Sequence, residues 1–213
     1  MIEYLVAGGP VMIPIGLCSI VALAMFLERM WALRRGGIVP GPFIVKVESL
    51  VEQGRYDEAI AMCRGGGSTV GRVLDVAISS RNRPRSELKE RLEEVGRREA
   101  AEMERGIPVV GTIASISPLL GLLGTVGGMI LTFQMIQDEG MGNVGSLAGG
   151  ISQALVTTFA GLSVGIPAVI ANRYLLAKVD GLLMELEEVS IRVIDMLVDE
   201  QQHIDEPAEE AAK

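Results

Sequence analysis

Aromatic residues are scarce in this chain. Four Phe, three Tyr and one Trp make up 4% of its 213 residues, although 49% are hydrophobic. A soluble core of that apolar content ordinarily draws its largest buried side chains from aromatics. Histidine occurs once, as His203, and a lone imidazole builds no metal site. The two cysteines, Cys18 and Cys63, lie in stretches of different character and form no disulfide framework. The net charge of −8, with no basic cluster, excludes a nucleic-acid surface. There is no nucleophile–base pair and no phosphate-binding glycine loop, since "RGGGST" (64–69) lacks the required lysine. The chain is therefore read as non-enzymatic, with no cofactor.

Charge is missing over three long runs. Residues 106–137 and 140–172 contain no Asp, Glu, Lys or Arg, giving runs of 32 and 33 residues, and residues 4–27 form a third of 24. About 20 apolar residues in helical form cross a bilayer core. The reading is an all-α membrane protein with three transmembrane helices. It divides into a first helix (1–30), a cytoplasmic helical insert (31–105), a second helix (106–137), a periplasmic turn (138–142), a third helix (143–172), and a cytoplasmic extension with an acidic tail (173–213).

Orientation follows from the basic residues. The first run carries Glu3 and no Lys or Arg before it, so it is not a cleaved signal peptide. Residues 28–105 hold 15 Lys/Arg against 13 Asp/Glu, whereas the turn "QDEGMG" has two acids and no base. Lys and Arg favour the cytoplasmic side, which puts the N-terminus outside and the C-terminus inside.

The insert reads as short helices, "GPFIVKVESLVEQG", "RYDEAIAMCR" and "VGRVLDVAIS", then a charged helix from Pro84. Gly106 is a weak stop, so this last helix is expected to continue unbroken into the second membrane run. The third run is likewise expected to continue below the membrane, with apolar residues at 3–4 spacing.

Within the membrane runs, glycine is abundant despite costing a helix about 1 kcal/mol against alanine. Pro118, Gly121, Thr125, Gly128 and Thr132 share one helical stripe, as do Gly150, Ala154, Thr158, Gly161 and Gly165. Small residues let helices approach closely in lipid, so Gly121, Gly128, Gly161 and Gly165 are read as packing positions. The threonine hydroxyls either bond their own i−4 carbonyl or a neighbouring helix, or face a water-accessible or partner-occupied lumen. Gln153 shares a face with Thr157 rather than Thr158, and periodicity leaves open which threonine is on the polar side. No carboxylate lies in the second or third run, and proton pathways ordinarily need an ionisable group at depth. If the chain conducts, a partner supplies the acid.

"SPLLGLLGTVGGMILTF" and "GGISQALVTTFAGLSVGIPAVIANRY", joined by a short acidic turn, resemble the MotA/TolQ/ExbB proton-channel family, most closely ExbB and TolQ. The first helix, "GGPVMIPIGLCSIVALAMFLERMWALRR", is also similar. The resemblance implies a homopentamer in the bacterial inner membrane, around a dimer of a single-span ExbD/TolR-like protein that brings a membrane aspartate. It implies coupling of the proton motive force to work on a TonB/TolA-like transducer. It places Thr125 and Thr158 in the pore, favours Thr158 over Thr157, and matches Pro118, Pro167 and Asn172 to family positions, the prolines as kinks. Gln153 stands where ExbB members often carry glutamate, so it hydrogen-bonds or orients water in the ion pathway without titrating. The alternative is a non-conducting scaffold that assembles an envelope complex.

Overall fold

A computed structural model describes residues 8–139 and 144–210. Eight helices and no strands occur among the described residues: α1 (Met12–Ala32), α2 (Arg35–Ile38), α3 (Gly41–Glu52), α4 (Tyr56–Gly66), α5 (Thr69–Ser79), α6 (Arg85–Glu104), α7 (Ile107–Glu139) and α8 (Val144–Glu210). Three of them, α1, α7 and the first part of α8, are long and apolar enough to span a membrane. The protein is an all-α membrane protein with three spanning helices. Residues 140–142 of the assigned turn, residue 143 at the start of the assigned third helix, the first seven residues and the last three lie outside the described residues.

The chain divides into two units, Met1–Met30 with Gly106–Leu176, and Trp31–Arg105 with Ala177–Lys213. The first contains the spanning segments. Their apolar side chains are largely exposed, Leu119, Leu122, Phe159 and Ile166 among them, as expected of surfaces made for lipid or protein in a membrane. A small core of Ile113, Ala114 and Ala168, flanked by Cys18, Ala22 and Val164, joins the three helices. Phe26 meets Tyr174 edge to face at 6.5 Å.

The second unit packs as a soluble domain does. Pro42 opens α3, where its missing N–H costs nothing. Ser68 caps α5 by accepting from the Gly71 amide at 3.2 Å. The "RGGGST" stretch is shorter as a loop than its composition suggests: α4 runs through Gly66, and Gly67 alone turns the chain with φ +60°. Val47, Val51, Ala59, Val70, Leu74 and Ile78 are buried. On α8, the buried residues Val179, Leu182, Leu186, Val189, Val193 and Leu197 recur every three or four positions, so one stripe of the long helix serves as a packing face. Arg35 pairs with Glu185 at 2.8 Å and Arg192 with Glu48 at 3.2 Å, tying shorter segments to α8. Glu99 is 7% exposed and held by the Arg72 guanidinium.

Cys63, at the end of α4, is buried, and burial followed by the charge of Asp75 pushes its thiol up to about 11. The folded thiol thus keeps its proton from pH 9 towards 11, and the stability this represents is lost as pH rises through that window. In a Cys18→Ser background, alkylation of native Cys63 at pH 8 is expected to be about a hundredfold slower than after denaturation. Equal rates measured by mass spectrometry would contradict its burial.

The expected unbroken helix from Pro84 into the membrane is corrected. The chain breaks between α6 and α7 at Gly106, which takes φ +82°. A side chain on Gly106 would collide with the Met25 methyl of α1, so the break is held by packing as well as by backbone freedom. The other extension is continuous, with α8 running through 67 residues.

Candidate ion pathway at the crossing of α7 and α8

The two glycine stripes face each other inside one chain. A Cβ on Gly161 would lie 2.6 Å from the Ser117 carbonyl oxygen and 2.8 Å from the Gly121 Cα. Gly165 receives the Pro118 ring, with a Cβ there only 2.7 Å from Cγ. Further along, a Cβ on Gly128 would lie 3.0 Å from the Ala154 Cβ and from the Gly150 carbonyl oxygen, and Thr132 fills the notch at Gly150. Partners on α8 fall in number as those on α7 rise, so the helices cross antiparallel at backbone contact. Pro118 sits within α7 and removes one N–H from its ladder, and Ser117 beside it is fully buried with an unpartnered hydroxyl.

Thr125 and Thr158 meet at this crossing, with their hydroxyl oxygens in direct contact. The Thr125 hydroxyl has two further acceptors, its own-helix Gly121 carbonyl at 3.2 Å and the Ala154 carbonyl of α8 at 3.4 Å. Thr158 donates across the interface to the Gly121 carbonyl at 3.1 Å. Each hydroxyl has one proton and two lone pairs, so acceptor capacity is left over. Both residues are half-buried. The carbonyl acceptors found for both hydroxyls lie on their own or the neighbouring helix, as the packing alternative expects.

The other candidate residues are elsewhere. Gln153 is half-buried, its amide lying over Gly9 rather than beside Thr125 and Thr158. Pro167 is exposed on α8, and with Ser163, Ala171 and Tyr174 it borders an apolar groove of about 630 Å³ against α1. Asn172 packs its amide against Gly111. Among the described residues no group of three or more His, Cys, Asp or Glu could hold a metal.

Sequence reading left Thr157 as the alternative to Thr158 on the polar side, and the structure gives its hydroxyl partners of its own. It is fully buried, and its hydroxyl reaches the Gly8 carbonyl at 2.9 Å and the Gln153 carbonyl at 2.8 Å. Its methyl fills a notch at Gly124 of α7. The shared face of Gln153 and Thr157 was the available signal, but nothing in periodicity names Gly8 as the partner.

Two long charge-free segments, one in α7 and one in α8, cross on glycine with a threonine pair at the crossing, an arrangement suited to a membrane ion-conducting or helix-scaffolding protein. Residues 67–188 match the model of the MotA/TolQ/ExbB proton channel family, and the chain belongs to that family. It is 32% identical over 185 residues to the biopolymer transport protein ExbB-like 1 of Synechocystis sp., covering 83% of this chain and 71% of that one. An ExbB homolog of Methanothermobacter thermautotrophicus is 29% identical over 188 residues, 88% of this chain and 67% of the other. The Tol-Pal system protein TolQ of Pseudomonas aeruginosa is 40% identical over 78 residues, 36% of this chain and 34% of its own length. The role is that of a membrane component of the proton-channel family of biopolymer transport.

Proposed function

We propose that this chain is the multi-span subunit of a proton-driven motor in a bacterial inner membrane. It works with a single-span ExbD/TolR-like partner to convert the proton motive force into work on a TonB/TolA-like transducer. The observation that carries this reading is the contact of Thr125 and Thr158 across α7 and α8, in two segments that hold no carboxylate. Hydroxyls with spare acceptor capacity can solvate a protonated carboxyl or a transient water, but they cannot take up and release a proton near neutral pH. The titrating acid belongs to the partner, and Gln153 does not replace it. Five copies around a partner dimer is the assembly that the family implies. The Lys/Arg distribution supports a periplasmic N-terminus and a cytoplasmic C-terminus.

The scaffold alternative rests on glycine stripes that recruit other subunits. Here those stripes meet each other within the chain, which supports the motor reading over the scaffold.

Proteoliposomes containing this chain alone, with its single-span partner, and with a partner whose membrane Asp is changed to Asn distinguish the two. Proton uptake, followed with an entrapped pH dye, is expected only in the second. Uptake that ignores the partner's aspartate overturns the division of labour, and none in any preparation favours the scaffold.

A further inference from the structure

Thr157 and Thr158 are neighbours on α8 that point to different elements. Thr158 meets Thr125 on α7. Thr157 is fully buried and donates to the carbonyl of Gly8, in the segment that leads into α1, while sharing its proton with the Gln153 carbonyl one turn back. Gln153 extends its amide over Gly9. Gly9 has φ +71°, and a Cβ there would occupy the place of the Gln153 Nε2. Gly124 on α7 opens the notch that receives the Thr157 methyl. One residue therefore touches the N-terminal segment, α7 and its own preceding turn.

We propose that Thr157 is a positioning residue. With Gln153 it clasps the Gly8–Gly9 segment and so fixes the rotation of α8 that brings the Thr158 hydroxyl onto Thr125. The physical basis is that successive helical residues differ by about 100° in direction. Anchoring Thr157 to an acceptor outside its helix therefore sets the azimuth of Thr158. The glycine notches and the side chains that fill them, Pro118 at Gly165 and Thr132 at Gly150, hold α7 and α8 close by shape and without a directional bond. A directional hydrogen bond to a fixed carbonyl supplies the missing constraint. Gln153 thereby has a positional task, holding the segment that carries the acceptor. The significance for conduction rests on the pore role proposed for Thr125 and Thr158, but the geometric claim is independent of it.

The test separates the two. In full-length chain lacking Cys18 and Cys63, Thr125→Cys with Thr158→Cys should cross-link on mild oxidation in membranes, since a disulfide requires Cβ atoms about 3.5–4.5 Å apart. Thr157→Ser keeps the hydroxyl and should keep the yield. Thr157→Val keeps the shape and removes the donor, and the yield should fall at least about fivefold. Gly9→Ala, whose Cβ would displace the Gln153 amide from the segment and is strained at φ +71°, should lower it too, and provides the reading if Thr157→Val does not accumulate. An unchanged yield in Thr157→Val or Gly9→Ala overturns the clasp, as does an equal loss in Thr157→Ser. Proton flux with the partner is then measured on the single variants without the cysteine pair. Flux lost in Thr157→Val and rescued in Thr157→Ser extends the clasp to conduction. Normal flux in Thr158→Val, with the cross-linking pattern as expected, overturns the pore role and leaves the clasp standing.

Discussion

Thr158→Val is expected to lower partner-dependent proton flux about tenfold to a hundredfold while leaving the fold and the assembly intact. Valine reproduces the outline of threonine but neither donates nor accepts. The lost groups are the bond to the Gly121 carbonyl and the contact with Thr125. A polar group left without its partner in a dry site costs about 1–3 kcal/mol, and each 1.4 kcal/mol is about tenfold in rate. The flux should fall about tenfold to a hundredfold if the hydroxyl pair stabilises the partner's carboxyl or its water during transfer. Thr125→Val should behave alike, and the double variant should lose little more than either single one, because the pair acts as one unit. If the hydroxyls serve only to tie α7 to α8, the same variants lower resistance to denaturation and leave flux per assembled complex unchanged. Flux normalised to assembled complex decides between these outcomes, and near-normal values would remove the pore assignment.

Much of this architecture is legible in the primary structure because membranes impose coarse rules. Absence of charge over 106–137 and 140–172 marks the two long spans, since an ionised side chain in hydrocarbon is costly at any position. The periodicity of the small residues marks a face. It does not name the partner of that face, and the close approach of Gly121 to Gly161 within one chain is a tertiary fact. The break at Gly106 was hidden for a related reason. A single glycine inside a helical pattern is ordinarily tolerated, and its left-handed φ is held in part by the Met25 side chain, some eighty positions earlier in sequence. Thr157 shows the same limit at the scale of one hydrogen bond. Its alignment with Gln153 could be counted, whereas its acceptor on Gly8 lies 149 positions away.

The largest effect on stability is expected at Gly161. The built Cβ position lies 2.6 Å from one backbone oxygen and 2.8 and 3.0 Å from two further backbone atoms of Gly121. None of these is the end of a flexible side chain, so the helices themselves must separate. Overpacking a close-fitted interface costs about 1–3 kcal/mol, and here even alanine forces the backbones apart along the whole crossing. Gly161→Ala should therefore unfold at markedly lower denaturant in detergent, and Gly161→Leu should fail to pair α7 with α8. Gly127, on the same helix as Gly121, has open space around its Cα, and Gly127→Ala should be neutral or slightly stabilising within the chain, given the higher helix propensity of alanine. Separation of the helices also pulls Thr158 from Thr125, so whatever Gly161→Ala protein assembles should conduct poorly. The site of action is decided by comparing unfolding of the isolated subunit with oligomer mass by native mass spectrometry. A Gly161→Ala subunit that unfolds like the wild type but no longer assembles would place this glycine between chains and overturn its assignment to the α7–α8 crossing.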